Sequence, residues 1–184
     1  MKRSYVILGV IGAVILFAFL GYYNAYNKAV KLQEEVNNKW EDVQAIYQKR
    51  LDLIPNLVKT VKGSAENETR ILTNVTQARA GIVNAKTPED MELMGKKINT
   101  AINLAYEAYP QIRSTENFLK FQDQLQSTEN ETQRARELFN ESVKEYNVHL
   151  RGFFNRMFLS KEEFPKKSGF KGEVGAEKSP DVNF

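Results

Sequence analysis

From Tyr5 to Tyr23 the chain reads YVILGVIGAVILFAFLGYY, nineteen positions without a charge; beyond it, apolar residues recur at steps of three, four or seven. The first pattern predicts a helix that is apolar on every side, the second a series of amphipathic helices. At ~1.5 Å per residue the first helix is ~28 Å long, close to the ~30 Å hydrocarbon core of a bilayer. A transmembrane anchor is expected, with Tyr22 and Tyr23 at a membrane interface, where an aromatic ring with a polar tip is favoured. The alternative is a secretory signal, since Lys2 and Arg3 form a basic start. The apolar run is longer than the usual core of a signal, and no small-x-small cleavage site follows it. Gly9 and Ala13 make a small-xxx-small pair that would let two such helices approach closely.

The amphipathic stretch from Ala29 to Ala85 holds one proline and two glycines, and its stripe passes through Val36, Trp40, Val43, Tyr47, Leu51, Ile54, Val58, Val61, Ala65, Leu72 and Val75. Thr87-Pro88-Glu89-Asp90 marks a helix start: Thr as N-cap, Pro at the first position, acids in the first turn. Met91, Met94, Ile98, Ala101/Ile102, Ala105 and Tyr109 carry the next stripe, and Pro110 ends it. The last helix, placed at Gln111–Arg156, carries Phe118, Phe121, Leu125, Thr128, Thr132, Ala135, Phe139, Val143, Tyr146, Leu150 and Phe153. No stretch alternates with period two, so the fold is all-α: a transmembrane helix, an up-and-down antiparallel four-helix bundle with long helices, and an extended C-terminal tail. The division is 1–4 as a short tail, 5–23 as anchor, 24–160 as bundle and 161–184 as a flexible end rich in Lys, Gly and Pro. That end closes on Val182-Asn183-Phe184, free to bind a partner.

Four helices need a break in the first amphipathic stretch, because one unbroken rod would leave the last helix without cover for its stripe. Gly63-Ser64 is the preferred place, Gly as a left-handed cap and Ser as the next N-cap. The rival is Thr128-Glu129-Asn130-Glu131, which has the spacing of a capping box. Pro55 removes a backbone hydrogen bond in mid-helix and should kink it. The plain reading of Pro55 is a bend round a partner helix. The sharper one is a recognition patch, a carbonyl freed by Pro55 near Arg50, Asp52 and Asn56; as a catalytic candidate, Asp52 with Arg50 reads instead as a surface or inter-helix ion pair.

Composition removes several classes of function. No Cys means no disulfide and no thiolate metal site, and a single His rules out a site of two imidazoles in one chain. Net charge is +3, of which Lys2 and Arg3 supply two, so no nucleic-acid surface is expected. Their cluster favours an amino terminus inside, placing the domain outside the cytoplasm. Glu145 and His149 lie one turn apart but cannot fill a metal shell. The pairs Glu34/Glu35 and Glu162/Glu163 point ~100° apart on a helix and cannot flank a substrate. No phosphate loop, nucleophile elbow or EF-hand loop is present. Catalytic residues, cofactor and metal are therefore all expected to be none, and the chain is not expected to be an enzyme. Near the end of the last helix, Phe153, Phe154, Met157, Phe158 and Leu159 alternate with Arg151, Arg156 and Lys161. They form either an interfacial segment, cations beside lipid phosphates, or a cap packed on Tyr22, Tyr23 and Tyr26.

The segments Trp40-Glu41-Asp42-Val43, Arg50-Leu51-Asp52-Leu53-Ile54-Pro55-Asn56-Leu57-Val58 and Asn74-Val75-Thr76-Gln77-Ala78-Arg79 resemble the LemA family. So do Glu107-Ala108-Tyr109-Pro110, Thr128-Glu129-Asn130, Tyr146-Asn147 and the ending Ser179-Pro180-Asp181-Val182-Asn183-Phe184, a resemblance that runs from about Asn27 to Phe184. The chain departs from it at Glu66-Asn67-Glu68, where many relatives carry a His before the Glu, and at Ser127, where Gly is common. The resemblance implies a bacterial membrane-anchored helical bundle with no enzyme activity, and an amino terminus outside, opposite to the charge reading. Function is expected to be that of an envelope scaffold or adaptor, in contact with the lipid bilayer, self-associating as a homo-oligomer and binding envelope proteins. The two-sided apolar pattern of Val30, Leu32 and Val36 suggests such lateral partners. A membrane-tethered sensor is the alternative, and an enzyme comes last.

Overall fold

Stripes of apolar residues at helical spacing, with few glycines and prolines to interrupt them, leave helix as the one way to bury these side chains. The structure, a computed structural model, describes residues 2–59, 65–109 and 116–171. Among these, every regular element is helical: α1 Lys2–Lys59, α2 Ala65–Asn84, α3 Pro88–Ala108, α4 Glu116–Arg151 and the one-turn α5 Asn155–Phe158. The all-α expectation holds.

No backbone break separates anchor from bundle, since α1 runs 58 residues from the apolar stretch to Lys59. It also runs through Pro55, whose ring is half-buried. A proline inside a helix removes one hydrogen bond and costs ~3 kcal/mol in a free helix. Pro55→Ala should therefore raise the unfolding midpoint, by less than that figure because the site has adapted to the ring. A shift to lower denaturant concentration would show that the bend itself is needed for packing.

The preferred interruption falls where α1 stops at Lys59 and α2 starts at Ala65, with Gly63 and Ser64 themselves outside the described residues. It resets the helical phase: in α2 Ile71, Val75, Ala78 and Ile82 are buried, while Leu72, expected in the stripe, is exposed. The rival break at Thr128 is overturned, because α4 is continuous there. The Thr128 hydroxyl donates to the Leu125 carbonyl at 2.9 Å instead of capping a new helix, and Thr132 does the same to Thr128 at 2.7 Å.

Helix α3 begins as its sequence dictates. The Thr87 hydroxyl accepts from the Asp90 N–H and the Asp90 carboxylate accepts from the Thr87 N–H, both at 3.1 Å, a reciprocal capping box. The Thr87 side chain first, then the Lys86 N–H, holds the Asp90 carboxyl below its usual range. A depressed pKa gives stability that is present above the unfolded value of about 3.9 and lost as pH falls through the lower folded value. Hydrogen exchange at the start of α3 should accelerate on acidification below about pH 4, and Asp90→Asn should flatten that response.

Helix α4 ends at Arg151, five residues short of the expected Arg156. The Asn155 amide Nδ2 donates to the His149 carbonyl at 2.7 Å, and a Cβ on Gly152 would meet that amide at 2.9 Å. A side chain at Gly152 would have to displace that amide, and the turn strands Phe153, placed in the stripe by spacing, at 78% exposure. The extended tail is packed over its first part, not free from Lys161. Phe164 and Phe170 are buried, the Tyr146 hydroxyl donates to the Pro165 carbonyl at 3.1 Å, and Asn147 pairs with the Lys167 backbone at 2.8 and 3.1 Å. Val182-Asn183-Phe184 lies outside the described residues.

The chain divides into two units, Met1–Ala45 with Glu137–Lys167, and Ile46–Arg136 with Ser168–Phe184. In the first, α1 and α4 run antiparallel: Ala25 meets His149 and Trp40 stacks on Phe139 at 5.3 Å. In the second, the ends of α1 and α4 join the α2–α3 hairpin, with Tyr47 and Arg50 of α1 facing Gly95 and Asn99 of α3. The core there holds Leu51, Ile54, Ile71, Ile82, Met91 and Ile98, all fully buried.

Candidate functional site

The patch expected at Arg50, Asp52, Pro55 and Asn56 does not form one site. One turn of helix sets Arg50 and Asp52 on different faces, and each takes a different partner. Arg50 pairs with Glu129 and donates to the Asn99 side-chain Oδ1 at 3.0 Å, whereas Arg79 pairs with Asp52. The expected Arg50–Asp52 ion pair is thereby corrected. Asn56 is exposed and Pro55 half-buried. What does assemble is a polar layer across the second unit. Arg136 donates to the Tyr47 hydroxyl from Nε at 3.1 Å and also from Nη2, and its guanidinium lies 5.6 Å from the Tyr47 ring and 5.1 Å from the Phe170 ring. Burial pushes the Tyr47 phenol up, and the Arg136 hydrogen bond opposes it. Beside Arg50 and Glu129 opens a cleft of about 520 Å³, walled by Tyr106, Gln122, Asp123 and Gln126. Its cation is already neutralised by Glu129, so the layer reads as packing that fixes register.

The membrane-end residues divide between the two readings given above. Phe158 packs edge-on to Tyr22 at 6.2 Å, and Phe164 edge-on to Tyr26 at 5.4 Å. The Tyr26 hydroxyl donates to Glu163 at 2.6 Å, and that bond, ahead of the charge of Glu163, raises the Tyr26 pKa. Those contacts are the cap. Tyr23, Phe153, Phe154 and Met157 instead stay exposed, the Phe153 and Phe154 rings edge-on to each other at 5.2 Å. His149 is a structural residue: one ring nitrogen, Nε2, lies 2.9 Å from the Ala25 carbonyl and the other 3.1 Å from the Asn155 amide. A carbonyl can only accept, so Nε2 carries the proton and Nδ1 accepts from Asn155. Lys167 reaches Asn37 at 2.8 Å, and burial pulls its ammonium below the ordinary range. Leu32 and Val36 prove buried within the first unit, so of the two-sided pattern Val30 alone is exposed.

Sequence reasoning missed a cavity in this unit, about 230 Å³, between the end of α4, the α5 turn and the tail. Its floor is Leu150, Leu159 and Phe164. The hint was the run of aromatics and cations from Arg151 to Lys161, with Phe164 in the charged stretch after it. No cluster of three or more His, Asp or Glu is placed to hold a metal among the described residues.

The family model for the LemA family matches residues 39–184, four-fifths of the chain, from just before Trp40 of the first amphipathic stripe onward. The chain belongs to the LemA family. A curated relative, Protein LemA of Metamycoplasma hominis, is 21% identical over 165 residues, covering 88% of this chain and 75% of the relative. The LemA match takes in the Arg50 layer, the α2–α3 hairpin and the α5 turn, and starts beyond the apolar run. The apolar run before it belongs to the one described helix long and apolar enough to cross a membrane, with no residue of that helix's most apolar window buried.

Proposed function

We propose that this LemA-family chain is a membrane-anchored scaffold or adaptor of the bacterial envelope, acting through self-association and contacts with envelope proteins and not through catalysis. The observation that carries the reading is the exposed apolar run, continuous with the helix that enters both units. From Tyr5 to Leu20 its large side chains are about half to four-fifths exposed, a patch far beyond what a soluble surface sustains and one that a bilayer would cover. Because α1 has no break, load or partner binding at the domain is carried directly into the anchor. Lys2 and Arg3 favour an amino terminus inside and the domain outside the cytoplasm. Protease added to spheroplasts tests this: cleavage of the domain in intact spheroplasts agrees with it, and protection until lysis reverses the orientation. In-cell crosslinking followed by identification of adducts tests the scaffold. Recovery of dimers or higher species with envelope proteins supports it; a monomer without adducts removes it.

A further inference from the structure

We propose that the cavity behind the α5 turn is a binding site for an anionic glycerophospholipid, which seats one acyl segment on the floor and its phosphate among the surrounding cations. The inference rests on the membrane reading above. The floor of Leu150, Leu159 and Phe164 is apolar, and Arg151, Arg156, Lys161 and Lys166 line the same cavity with no acidic residue among them. None of the four cations is in an ion pair among the described residues, although Ser160, Glu162 and Glu163 lie close in sequence. The acids are engaged elsewhere. Glu163 accepts from Tyr26, and Glu162 accepts from the Ser160 hydroxyl at 2.5 Å, with only a weaker pull from Lys161. The Asn147 amide is used up in clamping the Lys167 backbone. The cavity's free polar capacity is therefore four positive charges over an apolar base, which complements an anionic amphiphile and not a sugar, a cation or a neutral peptide.

Depth agrees. Phe158 of the α5 turn packs on Tyr22, the last ring but one of the apolar run, and a Cβ on Gly21 would meet the Phe158 ring at 3.7 Å. Phe164 of the floor packs on Tyr26, one turn further. Within this unit the cavity is thus tied to the end of the apolar run, at the level of headgroups. Phe153, Phe154 and Met157, 67–78% exposed, are the residues that would dip beside it. The volume corresponds to roughly eight waters at ~30 Å³ each, room for a length of acyl chain and not for a whole lipid. An unpaired basic pocket at a membrane surface draws anionic lipid, and each cation adds to the preference.

The test uses the full chain in a neutral detergent, titrated with phosphatidylglycerol or phosphatidylcholine and read by native mass spectrometry. At least about tenfold preference for phosphatidylglycerol is expected. The variant R151Q/R156Q/K161Q/K166Q should lose that preference while its circular dichroism is unchanged. Leu150→Ser, which spares the charges, should weaken binding several-fold. Equal binding of the two lipids, or a preference that survives the charge variant, overturns the proposal. Competition by glycerol phosphate, which has no chain, as strong as by dihexanoyl-phosphatidylglycerol also overturns it, because the floor would then be idle. Carbonate extraction of the charge variant separates the two readings: a variant that has lost selectivity yet stays in the membrane pellet leaves the anchor intact.

Discussion

Replacing Tyr146 with Ala is expected to cost about 3–5 kcal/mol, read as a drop in the denaturation midpoint of the full chain in detergent. The ring is fully buried between α1 and α4 of the first unit. Its loss would open a cavity that neighbours on two helices cannot close, and the cost includes both the transfer and the cavity. Two further contacts go with it. The Pro165 carbonyl loses its donor at 3.1 Å, and the Lys167 ammonium loses a ring 5.9 Å away. Tyr146→Phe isolates the hydroxyl and should cost only about 0.5–1.5 kcal/mol. Both variants should speed tryptic cleavage after Lys166 and Lys167, the Ala form far more. Equal midpoints for the two would mean that the ring does not fill this core.

The second large effect is expected at Glu129. Its partner Arg50 is only 15% exposed at the side chain, and the Arg50 Nε is buried with no hydrogen-bond partner among the described residues. Removing the carboxylate leaves a guanidinium in a low-dielectric layer with one remaining acceptor, Asn99. Breaking such a pair from one side costs about 3–5 kcal/mol when both groups are buried; Glu129 is 37% exposed, so Glu129→Ala should fall at the lower end of that range. Arg50→Met combined with Glu129→Ala should recover most of the loss, since no charge is then stranded. The Asp52–Arg79 pair, more than half exposed on both sides, should move stability by under about 1 kcal/mol when cut. A cost that small at Glu129 would place Arg50 in the same screened class.

Helical class, helix number and most of the core were legible because period and caps are local. Thr87-Pro88-Glu89-Asp90 set the start of α3, and Met91, Met94, Ile98 and Ala105 fell buried as spaced. Local rules failed where a tertiary partner chose between equals. Thr128-Glu129-Asn130-Glu131 has the letters of a cap, but in mid-helix the hydroxyl bonds back to Leu125, while Glu129 and Glu131 turn to Arg50 and Lys49. Arg50 and Asp52 invited a pairing that helix geometry forbids. The candidate site was legible as a cluster of aromatics and cations near Phe153, but not as a cavity. Its floor needs α4 to end at Arg151 and Phe164 to return from a segment whose composition reads as unstructured.

In the proposed arrangement the apolar part of α1 stays attached and sits in lipid while the same helix continues into the folded units. Carbonate extraction of membranes from cells making the full chain, followed by intact-mass measurement of the pelleted protein, tests it most directly. An anchored chain gives a carbonate-resistant species whose mass still includes Tyr5 to Tyr23. A chain that begins after Tyr23, or one released into the carbonate supernatant, would contradict it.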